Sequence, residues 1–319
     1  MEKQNPRSCS RVLPLFMMLS CILIITSCSK DSTIENTSPV VEETTTSTTN
    51  NLTTTSTTFT TLKPSHIVVA VMENHSLSHI IGNSQAPYIN SLVKDAHTAY
   101  MNQSFAVTHP SQPNYIALFS GSTQGITSDN MPTNAPWSSA NLGVNLIGRG
   151  YSFAGYSEDL PSAGFTGATY HYYARKHNPW VDWQGTGYNR LSASTNQPLT
   201  DFPTNFTKLP TVSFVIPNLN NDMHNSTVSQ GDTWLKYHLN NYIQWAKTNN
   251  SIFILTFDED DFSQSNQITT LLIGANIKGG SYSTKINHYN VLRTIEQLYG
   301  TSYAGASAGV SAIKGIWLK

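Results

Sequence analysis

The chain has 319 residues, a formal net charge of −1 and 12% charged residues, so no basic field points to a nucleic-acid partner. Its three cysteines, Cys9, Cys21 and Cys28, all fall within residues 1–28. The rest of the chain therefore excludes disulfides, thiolate catalysis, zinc–thiolate sites and iron–sulfur clusters, and must work with oxygen and nitrogen groups.

In chain order, residues 1–28 read as an export leader. Lys3, Arg7 and Arg11 form a basic start, and Val12 to Thr26 is an apolar core too short for a comfortable membrane span. The leader ends in Ile25-Thr26-Ser27-Cys28, which resembles the lipobox of bacterial lipoproteins, with Cys28 as the lipidated residue. The expectation is an exported bacterial lipoprotein held by its lipid at the outer membrane, facing the periplasm or the cell surface. Residues 29–63 are dominated by Thr, Ser and Asn and bury too little to offset their ordering entropy, so they read as a tether. Residues 64–319 then form one large domain without an internal repeat.

That domain alternates short apolar runs with helical patterns. HIVVAVM (His66–Met72) is a continuous apolar run suited to a strand buried on both faces. Tyr151–Tyr156, Thr211–Ile216, Ser251–Phe257 and Thr269–Ile273 also read as strands. Helices are expected over Pro87–Ala96, Pro113–Ser120, Asp232–Thr248 and Tyr289–Tyr299. Such alternation implies an α/β fold around a largely parallel sheet, with ligands bound beyond the carboxyl ends of its strands.

Polar residues gather where those runs stop. Glu73-Asn74-His75 follows the first strand, and Asn218, Asn221, Asp222 and His224 follow TVSFVI. Asp258-Glu259-Asp260-Asp261 follows SIFILTF, and four adjacent carboxylates repel unless a cation neutralises them. An oxygen-rich set suits a divalent ion such as Mg, Mn, Ca or Zn. In THPSQPNYIALFSG, Pro113 fits the first turn of a helix and puts Ser111 or Gln112 at or just before its N-cap. A hydroxyl there sits where backbone N–H groups and the helix dipole favour an anion.

The ordered blocks MENHS, THPSQPNY, YARKHNPW, NLNNDMHN, TFDEDD and NHYNVLRTIEQLYG resemble the bacterial and fungal phosphoesterase family of secreted acid phosphatases and phosphocholine-type phospholipases C. That family lies within the alkaline phosphatase superfamily. The resemblance spans about residues 66–300 and implies an alkaline-phosphatase-like three-layer α/β/α sandwich. It implies metal-dependent hydrolysis of phosphate monoesters, phosphoinositides among them, through a phosphoserine intermediate on Ser111. Glu73, Asn74, Ser111, Asp258 and Glu259 are then the ligands of one divalent metal, and Asp222 with His224 a second half-site that His288 also borders. Asn114 is expected to donate to a phosphate oxygen. Lys176 and His177 are expected near the phosphate, as charge stabilisers or as the acid that protonates the leaving group. His75, His79 and His109 are polar neighbours left outside that core. The expected substrate is a small-molecule or lipid-headgroup phosphate ester, with membrane contact through the N-terminal lipid alone.

Gly305-Ala306-Ser307-Ala308-Gly309 matches the serine-hydrolase elbow, but no acid or His follows Ser307 to complete a triad. Two alternatives stay open. One keeps the fold and cleaves a phosphodiester in the manner of a phospholipase C. The other is a non-catalytic surface module in which the DEDD run binds calcium.

Overall fold

The computed structural model describes residues 62–318. The leader ending at Cys28 and almost all of the Thr/Ser-rich segment lie outside the described residues.

An eight-stranded sheet forms the middle of the domain. In chain order its strands are β1 (His66–Met72), β2 (Thr98–Met101), β3 (Phe153–Ser157), β4 (Asn196–Pro198), β5 (Val212–Ile216), β6 (Ser251–Phe257), β7 (Thr270–Ile273) and β8 (Gly280–Tyr282). Their spatial order is β8-β2-β7-β6-β1-β5-β3-β4. Every neighbouring pair is parallel except the two made by β7, which runs against both β6 and β2. The sheet is thus largely parallel, with one reversed strand formed by the hairpin that returns from β6.

The apolar run of β1 has no polar alternation because helices cover both of its faces. Ile67, Val69 and Val71 pack in one core with α3 (Ser111–Ser120), α4 (Leu142–Ile147) and α6 (His288–Tyr299). Val68, Ala70 and Met72 pack in the other with α2 (Pro87–Val93) and α5 (Val228–Ala246). A short helix, α1 (Leu77–Ile80), follows the turn after β1. The result is a three-layer α/β/α sandwich. No helix among the described residues is long and apolar enough to cross a membrane.

Local chemistry explains most boundaries. Thr227 caps α5 by accepting the Gln230 N–H, and Asn287 with Asn290 forms a reciprocal cap at the start of α6. Gly121 ends α3 in the left-handed region at φ 69°, where a Cβ would stand 1.9 Å from the Ala304 carbonyl oxygen. Strands β1 and β6 end where their apolar runs end. The expected helices shift modestly: α5 begins before Asp232, and α2 ends before Ala96. Strands β2, β4 and β8, and helix α4, are absent from the reading of sequence alone because each is short and carries little periodic pattern.

Candidate active site

The parallel register of the middle strands delivers the polar residues to one place. Met72 of β1 lies opposite Phe257 of β6, so Glu73 and Asp258 emerge side by side. The Asp258 N–H donates to the Met72 carbonyl, and the Glu73 N–H donates to the carbonyl of Asp222, beyond β5. The ends of β1 and β6 and the loop after β5 are therefore stitched together by backbone hydrogen bonds just past the sheet. The turn conformations are uncommon for their residue types: Asn74 has φ 21° and the buried Met223 φ 86°. Such left-handed backbone persists where the surroundings over-determine it.

Helix α3 brings Ser111 to this edge. Ser111 is its first helical residue, with Pro110 at the N-cap, and its side chain is buried rather than surface-facing. The Ser111 Oγ lies 3.1 Å from Glu73 Oε2 and 3.0 Å from Glu259 Oε1. A hydroxyl carries one proton, so it donates to one carboxylate while the other must tolerate its lone pairs. One helical turn later, Tyr115 donates its phenol to Glu73 Oε1 and stacks its ring on His177 with centroids 4.9 Å apart. His177 is buried between two acids, with Nε2 3.2 Å from Glu73 Oε1 and Nδ1 3.4 Å from Asp222 Oδ2. Asp258 Oδ1 accepts the Asn74 N–H at 2.9 Å. Glu259 Oε2 meets His109 Nδ1 at 2.5 Å, and His109 Nε2 is 3.3 Å from Asp260 Oδ1.

The electrostatics of this cluster are one-sided. Burial pushes the carboxyls of Glu73, Asp222, Asp258 and Glu259 above their ordinary range. Mutual repulsion adds to it, from Asp222 on Glu73 and from Glu73 and Glu259 on Asp258. Burial also holds His177 well below its ordinary value, helped by Lys176 and His224, and lowers His288 to about 4. Both imidazoles are thus neutral, the form that ligates a metal. Burial works against the Lys176 ammonium, but its hydrogen bond to Asp129 and the nearby carboxylates raise it overall.

These residues fit a divalent cation. Asp222 Oδ2, Asp258 Oδ2, His177 Nε2 and His288 Nδ1 are all buried without a hydrogen-bond partner. Groups of that kind demand a partner, and a cation supplies one for carboxylate oxygens and imidazole nitrogens at once. Glu73, His177 and Asp222 each offer a ligand atom within 4.8 Å of the others.

Several residues sit elsewhere than their motifs suggested. Asn114 is not placed to reach an anion: its amide donates to the Thr108 and Pro110 carbonyls and accepts the Val107 and Thr108 N–H groups, pinning the loop before Ser111. The helix N-terminus offers less to an anion than its position implied. Pro110 and Pro113 have no N–H, and the Gln112 N–H donates to Asp129 Oδ1 at 3.0 Å. Lys176 Nζ holds the other oxygen of Asp129 at 2.7 Å. Asp222 groups with Glu73 and His177 instead of with His224. The His224 N–H caps Asp222 Oδ1, its Nδ1 lies 2.8 Å from Asn225 Oδ1, and its ring stands 6.1 Å from that of His177. His288 lies beneath the β6 end, donating through Nε2 to the Asp258 carbonyl at 2.7 Å.

Three members of the cluster were not singled out from the sequence. Tyr115 shares a helix face with Ser111 at a spacing of four residues, a readable signal. His109 is a neighbour only by sequence, yet it touches Glu259. Asp129 lies in an irregular loop with no pattern to mark it.

Comparison with known proteins agrees with this architecture. The family model described as the phosphoesterase family matches residues 83–302. A phosphatidylinositol-3-phosphatase of Mycobacterium tuberculosis is 48% identical over 255 residues, covering 79% of this chain and 83% of the relative. An acid phosphatase of Aspergillus fumigatus is 32% identical over 220 residues, covering 63% of this chain and 48% of the relative, so the chain spans only about half of that fungal protein. Among solved structures, a Vibrio parahaemolyticus protein in the alkaline phosphatase superfamily aligns with TM-score 0.52 at 14% identity, covering 76% of this chain and 68% of its own. A Pseudoalteromonas sulfatase aligns with TM-score 0.51 at 13% identity, covering 81% and 74%. These two share the fold. The matched range, the mycobacterial identity and the serine set among strand-end carboxylates together establish that the chain belongs to the phosphoesterase family.

Proposed function

We propose that this phosphoesterase hydrolyses phosphate monoesters with Ser111 as nucleophile and one divalent metal ion in the carboxylate cluster. The observation that carries the reading is the Ser111 hydroxyl held between Glu73 and Glu259, 3.1 and 3.0 Å away. Glu73, Asn74, Asp258 and Glu259, with Ser111 itself, would hold the ion, and Asp222 with His177 borders it as a second half-site. When bound, a divalent cation offsets the carboxylate charge, favours the serine alkoxide and draws charge from the phosphoryl oxygens.

The chain's own residues supply the rest. Glu73 or Glu259 accepts the Ser111 proton, and Tyr115 keeps Glu73 aimed at the hydroxyl. Lys176 and the Gln112 N–H, which now hold Asp129, are the donors an incoming phosphoryl group meets. His177 is too buried to carry a proton at neutral pH, which leaves the partly exposed His224 to protonate the departing oxygen. Water then cleaves the phosphoserine, with the same carboxylates positioned to accept its proton.

The mycobacterial relative's name supports phosphoinositide head groups as a substrate class. The leader supports an exported lipoprotein, anchored through Cys28. Radiolabelled palmitate should enter the full-length chain expressed in a bacterium and be absent from Cys28→Ser; equal label in both would remove the anchor.

The catalytic test compares p-nitrophenyl phosphate, its bis ester, p-nitrophenyl phosphorylcholine and phosphatidylinositol 3-phosphate in mixed micelles. Each is assayed with and without a chelator, on wild type and Ser111→Ala. The expected result is chelator-sensitive turnover of the monoesters that Ser111→Ala lowers by about 1,000-fold or more, roughly 4 kcal/mol of barrier. Faster turnover of a diester would move the function to a phospholipase C-like enzyme. Silence on all four with metal supplied would favour the calcium-binding module.

A further inference from the structure

The segment that supplies Asp258 and Glu259 also supplies Asp261 to a different set of donors. His75 follows Asn74 directly, and His79 lies on α1. One ligand atom from each of His75, His79 and Asp261 lies within 4.8 Å of the other two. His79 Nδ1 is 2.5 Å from Asp261 Oδ2. The two imidazole rings stand edge to face with centroids 6.3 Å apart. Both ring nitrogens of His75 are shielded from solvent, and neither has a hydrogen-bond partner.

An ion pair between His79 and Asp261 accounts for only part of this. It leaves His75 with an unpaired ring donor and acceptor beside the pair, an arrangement that folded proteins rarely keep. A cation shared by the three side chains accounts for more of it, because it also gives one His75 ring nitrogen a partner. Two imidazole nitrogens with one carboxylate oxygen are the donors of a borderline transition ion, unlike the oxygen-rich cluster at Ser111. The partial exposure of His79 and Asp261, 53% and 26% of their side chains, leaves room for water to complete the coordination.

We propose that His75, His79 and Asp261 bind a divalent transition-metal ion, zinc by the chemistry of the donors, at a site separate from the one at Ser111. The ion joins the turn after β1 to the loop after β6, the two backbone segments that carry Asn74, Asp258 and Glu259. A second contact runs the same way. Phe262, next to Asp261, stacks on His109 with centroids 3.9 Å apart, and His109 touches Glu259. The site therefore positions the active-site loop without contacting substrate.

The test is a cobalt(II) titration of chelator-stripped wild type, His79→Ala, Asp261→Asn and Glu259→Gln, followed by absorption of the bound ion and by dialysis stoichiometry. Wild type should bind one cobalt more than either His79→Ala or Asp261→Asn. Glu259→Gln should keep that equivalent and its imidazole-ligated spectrum. The difference of one holds whether or not the Ser111 cluster binds metal, so the two readings fail separately. His79 and Asp261 are partly exposed, and circular dichroism checks that both variants fold. Equal stoichiometry and equal spectra in wild type, His79→Ala and Asp261→Asn would overturn the site.

Discussion

Glu296 in α6 and the carboxylates around Ser111 are equally hidden from water, yet they are built in opposite ways. Glu296 stands alone and is supplied with donors: the Ala304 N–H at 2.7 Å and the Ser307 hydroxyl at 2.5 Å. Asp232 follows the same plan, accepting the Tyr88 and Ile89 N–H groups at the start of α2. Glu73, Asp222, Asp258 and Glu259 instead face one another, with unpaired oxygens on Asp222 and Asp258. Both oxygens of Glu296 and of Asp232 have donors, whereas in the cluster one oxygen of Asp222 and one of Asp258 have none. Ser307 belongs to the first kind, and its place in a G-x-S-x-G string is explained by its bond to Glu296.

The largest break in that contrast is Asp258→Asn. The amide oxygen can still accept the Asn74 N–H, so the fold is retained while the charge is removed. Turnover should fall by about 1,000-fold, near 4 kcal/mol, together with metal content. In metal-free buffer the sign reverses. The folded carboxyls of the cluster lie above their unfolded values, so stability present at low pH is lost as pH rises through them. At pH 8 without metal, Asp258→Asn should therefore melt about 2–4 °C above wild type, equivalent to roughly 1 kcal/mol. A lower melting temperature for the metal-free variant would mean the acids are not in repulsion.

A smaller effect sharpens the other half. Burial raises Glu296 to about 7 from an ordinary value of 4.5, despite its donors. Its contribution is complete below the unfolded value and declines as pH rises through 7. Glu296→Gln removes that dependence, so between pH 5 and pH 8 the variant should gain about 2 kcal/mol on wild type in denaturant unfolding. Its turnover should not change. A constant stability difference across that range would show that Glu296 titrates normally.

The parts of the site legible in the sequence are those carried by strand ends. The apolar runs His66–Met72 and Ser251–Phe257 coincide with β1 and β6, and a parallel register then makes Glu73 and Asp258 neighbours. What the pattern does not contain is pairing across distance. His109 and Glu259 are 150 positions apart, and only the packed α3 and β6 bring them within 2.5 Å. Asp129 holds the Gln112 N–H and the Lys176 ammonium, yet it lies in a loop whose conformation no periodicity predicts. The strands β2 and β8 are illegible because they span four and three residues, too few to show an alternation.

The run from Asp258 to Asp261 has one further consequence. Asp258 and Glu259 face the serine, Asp260 accepts the N–H groups of Phe262, Gln264 and Asn266, and Asp261 meets His79. Four consecutive acids serve three destinations, and each is assigned by its count from the last residue of β6. A stretch addressed by counting has no slack in length. Inserting or deleting one residue would deliver every following carboxylate to its neighbour's partner, so descendants of this chain can vary here by exchange of side chains but not by change of length.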